Sequence, residues 1–292
     1  MSNEKRIMMI GAHPDDCDFR CGGIAFKYAR LGYKVKFLAC CNGCGGHHEM
    51  KPEEIAKRRY GETREVAKLA GIEYDVWLDV PDCELTASLE NRRRLIVDIR
   101  NFKPDIIFSS RLCDYHADHR AIAQLVQDAS YLLTVPNYCP EAPAMREMPV
   151  IMHFYDHFQN PPFKPDIAID IDDVIEDKFR MLDCHVSQMY EWLPYTKNTL
   201  HTVPKDPKER FEWLHEPRIP RDGRVLDESI LKKNLIGSQC EYREAVQSVK
   251  YRDVLVKRYG ERGYKTLFSE SFAVCEYGAP LTEELEKELF PF

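Results

Sequence analysis

The feature that most constrains this chain is an apolar run, Ile-Met-Met-Ile at residues 7–10, that leads directly into Gly-Ala-His-Pro-Asp-Asp. A short apolar run that ends in glycine and polar residues predicts a buried strand followed by a loop. The loop contains His13, Asp15 and Asp16. In open α/β sheets, loops that leave the carboxyl ends of the strands form the active site. Imidazole and carboxylate groups are metal ligands, so this loop predicts a metal site with a base beside it.

A second polar segment follows another strand-like run about a hundred residues later. Residues 105–110, Asp-Ile-Ile-Phe-Ser-Ser, precede the segment Asp-Tyr-His-Ala-Asp-His at 114–119. His116 and His119 are three residues apart, which places them on one face of a helix that starts here. Three protein ligands and one open position make a catalytic zinc site, whereas four protein ligands make a structural one. The second segment therefore supplies the ligand that the first one lacks.

Strand-like and helix-like segments alternate along the chain. Strands are predicted at 6–12, 34–40, 75–78, 105–110, 149–155, 166–171 and 269–277. Helices are predicted from Gly22 to Arg30, at 52–70, 91–102, 174–185 and 227–260, and from the second segment to about Leu133. This alternation predicts an α/β fold, a Rossmann-like three-layer sandwich with a mostly parallel sheet and right-handed crossovers.

Residues 1–292 are expected to form a single domain with an irregular insertion at about 190–225 and a helical C-terminal extension. Prolines break any long element in the insertion. Its aromatic and polar residues suit a sugar-binding wall: Tyr190, Trp192, Tyr195, His201, Trp213 and His215. Packing of this stretch on the surface, or against a neighbouring subunit, is an equally open alternative. The added surface also makes a homo-oligomer plausible, without fixing its symmetry.

The composition excludes some classes of partner. The formal net charge is −7 and no basic cluster occurs, so we expect no nucleic-acid partner. No run approaches the roughly 18 apolar residues of a membrane helix, and no signal-peptide pattern opens the sequence. The eleven cysteines are an odd, scattered set, which favours free thiols over disulfides in a reducing compartment. A cytoplasmic protein with no membrane span is the expectation.

The two segments together resemble the PIG-L/LmbE-like family of zinc-dependent N-deacetylases, which hydrolyse the acetamide of N-acetylglucosamine-containing compounds. Ala-His-Pro-Asp-Asp and His-Ala-Asp-His carry the resemblance, and two motifs in the right order are far more specific than either alone. Weaker matching features are Arg59, Glu62, Ala67, Gly71, Leu78, Asp82, Leu85, Lys178, His185, Ser187 and Gln188. The resemblance runs from about residue 7 to about residue 190.

The resemblance implies a role for each residue of the first segment. The implied zinc ligands are His13, Asp16 and His119, and the implied general base is Asp15. Zinc lowers the pKa of a bound water to about 7, which makes hydroxide available at neutral pH. Aspartate and two imidazoles also suit other divalent metals, such as iron, cobalt or nickel. Asp15 then accepts the proton of the water and passes it to the leaving amine.

The second segment and the helix at 52–70 supply the remaining implied roles. His116 and Asp118 are implied as a supporting pair, in which a protonated His116 held by Asp118 offsets charge on the carbonyl oxygen. Arg59 is the candidate for substrate binding, because its planar fork presents several donors to a hydroxyl or an anion. A solvated face of a charged helix is the simpler alternative for Arg59.

The function that follows is removal of an N-acetyl group from an N-acetylglucosamine-type amino sugar or its conjugate, a small-molecule substrate. One alternative is an amidase that acts on a different amide, such as a thiol conjugate. A second is a metal-holding or sugar-binding protein without turnover, against which Asp15 argues. A nucleotide-binding protein is disfavoured because the first loop lacks the Gly-x-Gly-x-x-Gly spacing. The roles of His47, His48 and His185 stay open at this stage.

Overall fold

Seven short, largely apolar segments form one sheet in the computed structural model, which describes residues 4–214, 219–233 and 240–292. The strands are β1 (Arg6–Gly11), β2 (Lys34–Ala39), β3 (Glu73–Val76), β4 (Ile106–Ser109), β5 (Val150–Phe154), β6 (Ile167–Asp170) and β7 (Ser269–Val274). Their order is β3-β2-β1-β4-β5-β7-β6. The pairs from β3 to β5 are parallel, and β7 runs antiparallel to β5 and β6. The predicted mostly parallel sheet is confirmed.

Helices follow the strands in the predicted alternation. The first five are α1 (Asp16–Arg30), α2 (Pro52–Ala70), α3 (Leu89–Phe102), α4 (Ala117–Leu132) and α5 (Ile175–Asp183). Shorter ones follow, namely α6 (Leu193–Thr196), α7 (Pro207–Leu214), α8 (Glu228–Lys233), α9 (Cys240–Lys250), α10 (Arg252–Tyr259), α11 (Glu261–Lys265) and α12 (Glu283–Leu289). A π-helical turn at Gln188–Trp192 precedes α6, and a 3₁₀ turn at Leu200–Thr202 follows it.

The side chains of β1 enter two separate cores, one on each face of the sheet. Ile7 and Met9 belong to the core that contains residues of α1, α2 and α5, whereas Met8 and Ile10 belong to the core with α3 and α4. All four are fully buried. Successive strand residues point to opposite faces, and a parallel strand covered on both faces is apolar throughout. The expected three-layer α/β sandwich is therefore confirmed.

Helix α1 begins six residues earlier than expected, because Gly22 and Gly23 do not open it. They lie inside the helix, just after a kink at Cys21, where φ is −149° and ψ is 19°. The backbone amide of Gly23 donates to Glu270 at 2.8 Å. A Cβ on Gly22 would stand 3.0 Å from Met181 Sδ. Glycine at these two positions therefore allows α1 to pack closely against α5 and β7. The residues that require this close packing are far away in the sequence.

Two other regions differ from expectation in detail. Strand β3 covers Glu73–Val76, two residues before the predicted segment. The predicted helix over 227–260 is broken into α8, α9 and α10, and its residues 234–239 lie outside the described part of the chain. The irregular insertion consists of short helical turns, as its prolines indicate, while His215 also lies outside the described residues. The structure describes all eleven cysteines, and no disulfide joins them.

Buried Arg100 of α3 fixes the end of α4, the helix that carries the second polar segment. The side chain is fully buried. Its nitrogens donate to six backbone carbonyls between residues 132 and 142, at 2.6 to 3.1 Å. Three of these carbonyls belong to Leu132, Leu133 and Val135, where α4 ends. A cation at a helix C-terminus satisfies carbonyls that lack an intrahelical partner.

We expect Arg100→Met to lower the free energy of unfolding by about 3 to 5 kcal/mol, because it leaves several buried carbonyls without a donor. Arg93→Met on the exposed side of the same helix is the matched control and should change stability by at most about 1 kcal/mol. Urea denaturation followed by circular dichroism measures both. Equal effects of the two substitutions would contradict the role given to Arg100.

Candidate metal centre and active site

The two polar segments meet because the strands before them are neighbours. Strands β1 and β4 pair in parallel, with Ile10 opposite Ser109, so their carboxyl ends lie side by side. The loop after β1 holds His13, and α1 starts with Asp16. His119 lies in the first turn of α4. Segments a hundred residues apart are thus brought to one edge of the sheet, the edge at which open α/β folds bind ligands.

The three implied ligands present their donor atoms to one point. His13 Nδ1 lies 3.3 Å from His119 Nε2, and His119 Nε2 lies 3.2 Å from Asp16 Oδ1. His13 Nδ1 is 3.7 Å from Asp16 Oδ2. Donors held tetrahedrally at about 2.0–2.1 Å from a Zn²⁺ ion are separated by about 3.3 to 3.4 Å. Two of the observed separations are close to that spacing, and the third, which involves the other oxygen of Asp16, is longer. The cluster could therefore hold a divalent metal after a small shift of the Asp16 side chain.

Each histidine of the cluster has a carboxylate on its other ring nitrogen. His13 Nε2 lies 3.0 Å from Asp118 Oδ2, and His119 Nδ1 lies 2.9 Å from Asp114 Oδ1. Metal-binding histidines almost always carry such a partner, which fixes the ring and its tautomer. Asp118 is fully buried and is itself held by the backbone amide of Cys83 at 2.7 Å. The sequence analysis gave Asp114 no role, although it opens the second polar segment.

The electrostatics of the cluster favour positive charge at its centre. Burial opposes a charge on His13, but its hydrogen bonds to the carboxylates of Asp118 and Asp16 outweigh burial and raise the pKa of His13 well above its ordinary value. Burial is likewise outweighed at His119, where Asp16 and Asp114 raise the pKa to about 9. Although burial opposes it, His119 and His13 hold the pKa of Asp16 well below its ordinary value. A metal ion that replaces the protons of the two histidines would be stabilised by the same carboxylates.

Gly11 is a site residue that the sequence analysis did not single out. A Cβ at this position would stand 2.6 Å from Asp16 Cβ and 3.3 Å from Asp16 Oδ2. Asp16 Oδ2 also accepts the backbone amides of Ala12 and His13, each at 2.8 Å. The side chain of Asp16 therefore folds back over the end of β1, which only glycine at position 11 permits. The signal in the sequence is the Gly-Ala-His step at the end of the strand.

Asp15 and Arg59 form an ion pair at the edge of the cluster. Arg59 Nη2 lies 3.1 Å from Asp15 Oδ1, and Arg59 Nη1 lies 3.7 Å from Asp82 Oδ2. Arg59 is only 2% exposed, so it is not on a solvated face of α2. Asp15 occupies the N-cap position of α1 but makes no side-chain capping hydrogen bond. Its carboxylate is thus oriented by a buried guanidinium instead of by the helix backbone.

His116 lies beside the cluster as a neutral ring with one donor to offer. It is the N-cap of α4, and its Nδ1 accepts the backbone amide of Asp118 at 3.2 Å. Burial, then the neighbouring His13 and His119, lower the pKa of His116. Asp118 Oδ2 is 3.7 Å from His116 Nδ1 but 3.0 Å from His13. The structure thus pairs Asp118 more closely with His13 than with His116, and it does not favour the protonated His116 that we expected.

The three histidines whose roles stayed open make structural contacts. His47 Nε2 lies 2.9 Å from Glu191, which also binds Arg58 at 2.6 Å, and the His48 ring stacks on Tyr195 at 4.0 Å. These contacts join the loop after β2 to the segment after α5. His185 is fully buried, 3.0 Å from Asp18.

The last matching features after α5 also connect elements. Ser187 binds Glu62 of α2 through its amide and hydroxyl, at 2.8 and 2.6 Å. Gln188 donates to the carbonyl of Gly46 at 2.9 Å. The Ser187 and Gln188 residues of the His-x-Ser-Gln signature therefore connect the chain after α5 to α2 and to the loop after β2.

A cavity of about 880 Å³ opens over the cluster. Its lining includes residues of both polar segments and their neighbours, namely His13, Asp15, Asp16, Arg59, Asp82, His116 and His119. Trp192, Trp213, Tyr242 and Arg243 also contribute to its wall. Tyr195 and His201, also suggested for a sugar-binding wall, are exposed, and Tyr190 is buried. In the described part of the chain, no helix combines the length and apolarity needed to span a bilayer.

Comparison with known proteins agrees with this geometry. Residues 8–130 match the family model described as "PIG-L: GlcNAc-PI de-N-acetylase". Diacetylchitobiose deacetylase of Thermococcus kodakarensis is 29% identical over 207 residues, 66% of this chain and 75% of that protein. 4-Oxalmesaconate hydratase of Pseudomonas putida is 24% identical over 205 residues, 68% of this chain and 79% of that protein.

The fold agrees as well. The structure of N,N'-diacetylchitobiose deacetylase from Pyrococcus horikoshii superimposes with a TM-score of 0.62 and 23% identity, over 94% of this chain and 85% of that one. The segment that matches the family model contains both polar motifs, from β1 to α4. The resemblance found in the two motifs is thereby confirmed: residues 8–130 of this chain match the PIG-L (LmbE-like) family model.

Proposed function

We propose that this chain is a metal-dependent N-deacetylase, a carbon–nitrogen hydrolase that removes the acetyl group of an N-acetylglucosamine-type amino sugar or its conjugate. The observation that carries the proposal is the convergence of His13, Asp16 and His119, whose donor atoms lie 3.2 to 3.7 Å apart, with Asp15 lining the same cavity. Diacetylchitobiose deacetylase, the relative named above, supports the amino-sugar substrate class.

The ion that we assign to this cluster is Zn²⁺, with another divalent metal as the alternative. The donor set fits, because two imidazoles and one carboxylate leave a tetrahedral position open. When bound, such an ion polarises a carbonyl and lowers the pKa of a water molecule. The outer carboxylates Asp118 and Asp114 hold the two histidine rings in place for it.

The chain's own residues would then move the protons. Asp15 accepts a proton from the attacking water and passes it to the nitrogen of the leaving amine. Arg59, 3.1 Å away, fixes the direction of that carboxylate. His116, as a neutral imidazole, donates a hydrogen bond from its Nε2–H to the carbonyl oxygen as negative charge develops there, and keeps its proton. Arg59 is in this account a positioning residue, and its direct contact with substrate remains a separate prediction.

A second candidate is a hydratase, which adds water across the double bond of an unsaturated acid. It is favoured by one observation, the hydratase of Pseudomonas putida that matches 68% of this chain. Both deacetylation and hydration require an activated water molecule, so the metal cluster alone does not distinguish between them. Loss of the double-bond absorbance of an unsaturated dicarboxylic acid would indicate the hydratase, and release of acetate from N,N'-diacetylchitobiose would indicate the deacetylase. Release of an acid other than acetate would indicate a different amide.

We expect Asp15→Asn to reduce the rate constant kcat for acetate release about 10²- to 10⁴-fold, because general-base catalysis is lost. Metal content measured by elemental analysis should stay unchanged, since Asp15 is not a ligand. Asp253→Asn, an exposed carboxylate in α10, is the matched control and should retain full activity. Wild-type turnover by Asp15→Asn would exclude Asp15 as the base.

The affinity of the metal-free protein for Zn²⁺ should rise with pH between pH 6 and pH 8. The pKa of His119 is raised to about 9 and that of His13 is raised as well, so both rings hold protons that the ion must displace. Each displaced proton makes the affinity up to about tenfold tighter per pH unit. Competition with a chelating dye calibrated at each pH measures this slope. An affinity independent of pH would show that these histidines are not the ligands.

Gly11→Ala should weaken Zn²⁺ binding at least about tenfold, because the new methyl group pushes Asp16 away from the two histidines. Gly61→Ala in α2 is the matched control, since nothing lies within 4 Å of a Cβ there. It should leave metal affinity unchanged and raise stability by about 0.5 to 1 kcal/mol. Metal titration and thermal unfolding separate the two effects, and equal affinities in both variants would argue against the packing described for Asp16.

A further inference from the structure

The proposed reaction leaves the paired histidines of the loop after β2 without a role, although both are well packed. Only 5% of the His47 side chain and 12% of the His48 side chain are exposed. His47 Nδ1 accepts the backbone amides of Glu49 and Met50, each at 3.1 Å. Its Nε2 lies 2.9 Å from a carboxylate oxygen of Glu191, which follows α5. With both ring nitrogens engaged, the His47 ring has a fixed orientation.

The ring of His48 belongs to a column of four aromatic rings that joins this loop to the segment after α5. His48 stacks on His47 with 4.8 Å between the ring centres, and on Tyr195 with 4.0 Å. The planes of these two pairs are inclined by only 18° and 7°. Tyr195 in turn stacks on Trp192, at 5.8 Å and 22°. Stacked aromatic rings stabilise one another, so the column holds the indole at its end in place.

Hydrogen bonds also fix the backbone on either side of Trp192. Glu191, its neighbour, accepts from both Nη atoms of Arg58, at 2.6 and 2.7 Å. Gln188, one helical turn earlier, donates to the carbonyl of Gly46 at 2.9 Å. The Trp192 side chain nevertheless stays partly exposed and lines the cavity. An aromatic side chain that is fixed and partly exposed is pre-organised for a ligand.

A series of contacts leads from the proposed base to Trp192 along the wall of the cavity. Arg59, which pairs with Asp15, packs against Gly46, where a Cβ would stand 2.6 Å from Arg59 Nη1. Gly46 also contacts Gln188, and Trp192 ends the π-helical turn that Gln188 begins. All five residues line the cavity. With the acetamide at the metal cluster, Trp192 is therefore separated from the acetylated ring by several side chains, and the next part of the substrate lies nearer to it.

A fixed indole in a carbohydrate cavity has one evident use. Aromatic side chains pack against the apolar faces of sugar rings, where C–H groups cover the aromatic ring and the hydroxyl groups point away from it. Tryptophan offers the largest such surface among the side chains. The column therefore gives the cavity a surface that selects for the shape of a ring.

We propose that Trp192 is the stacking surface for a sugar ring linked to the acetylated one, and that His48 and Tyr195 are positioning residues that hold its indole. The inference rests on the proposed deacetylase function and adds a ring-binding subsite to it. The subsite requires no charge and no further functional group on the substrate, only a second ring with an apolar face.

Two substrates with one acetamide each, which differ by one ring, test the proposal. They are N-acetylglucosamine β-linked to glucose and the methyl β-glycoside of N-acetylglucosamine. For the wild-type protein loaded with Zn²⁺ we expect a KM about tenfold lower for the disaccharide, the effect of one stacked ring. Trp192→Ala should reduce this ratio to about twofold or less. Tyr131→Ala removes an exposed aromatic side chain of α4 and, as the matched control, should keep the full ratio.

The positioning role has a readout of its own. His48→Ala should lower the KM ratio about threefold with little change in kcat, whereas His48→Phe, which keeps a flat ring in the column, should restore the ratio. The double variant with His48→Ala and Trp192→Ala should lower the ratio no further than Trp192→Ala alone, because the two residues act as one unit. Thermal unfolding confirms that each variant is folded.

Three results would count against these roles. Equal KM values for the two glycosides in the wild-type protein would overturn the proposal, and so would a ratio that Trp192→Ala leaves unchanged. A ratio that falls equally in His48→Ala and His48→Phe would refute the positioning role, since the flat ring is then not what matters.

Tryptophan fluorescence separates this inference from the proposed reaction. Trp77 is buried in the core with α3 and α4, so in Trp213→Phe the emission that responds to a ligand in the cavity comes from Trp192. If neither glycoside releases acetate, the deacetylase proposal fails, and titration of both into Trp213→Phe still tests the subsite. A response at about tenfold lower concentrations of the disaccharide would support stacking without turnover. No response, or the same response to both glycosides, would refute it.

Discussion

The contacts between carboxylates and imidazoles at the ends of β1 and β4 determine the rest of the site. Asp118 and Asp114 each hold the outer nitrogen of one histidine, at 3.0 and 2.9 Å, so that the inner nitrogens of His13 and His119 stand 3.3 Å apart. Two imidazoles at this distance repel each other when both are protonated and share an ion when both are neutral. The hydrogen bonds to these outer carboxylates orient the two rings so that their inner nitrogens face each other.

The adjacent side chains of Asp15 and Asp16 point in different directions. Asp16 folds back onto the end of β1 over Gly11, whereas Asp15 turns towards Arg59. Two adjacent carboxylates therefore meet different surroundings, one among histidines and one beside a buried guanidinium. The cavity over the cluster is also lined by Trp192 and Trp213, which lie far from both motifs in the sequence.

Much of this architecture follows from local patterns, and the remainder depends on contacts between distant residues. The predicted segments correspond to all seven strands, and α2 has the predicted bounds, because apolar periodicity and a terminal glycine are local signals. The predicted start of α1 was wrong because Gly22 and Gly23 do not open the helix but allow close contacts with Met181 and Glu270. The structure places the candidate ligands His13, Asp16 and His119 within 3.7 Å of one another. The hydrogen bond from the backbone amide of Cys83 to Asp118, in contrast, cannot be predicted from the spacing of residues in the sequence.

The most direct test of the account is a crystal structure of the protein purified with Zn²⁺, with diffraction data collected on both sides of the zinc absorption edge. We predict one anomalous peak at about 2.0–2.1 Å from His13 Nδ1, His119 Nε2 and a carboxylate oxygen of Asp16. A peak elsewhere, or no peak among these residues, would contradict the central claim that they converge to hold a single divalent ion.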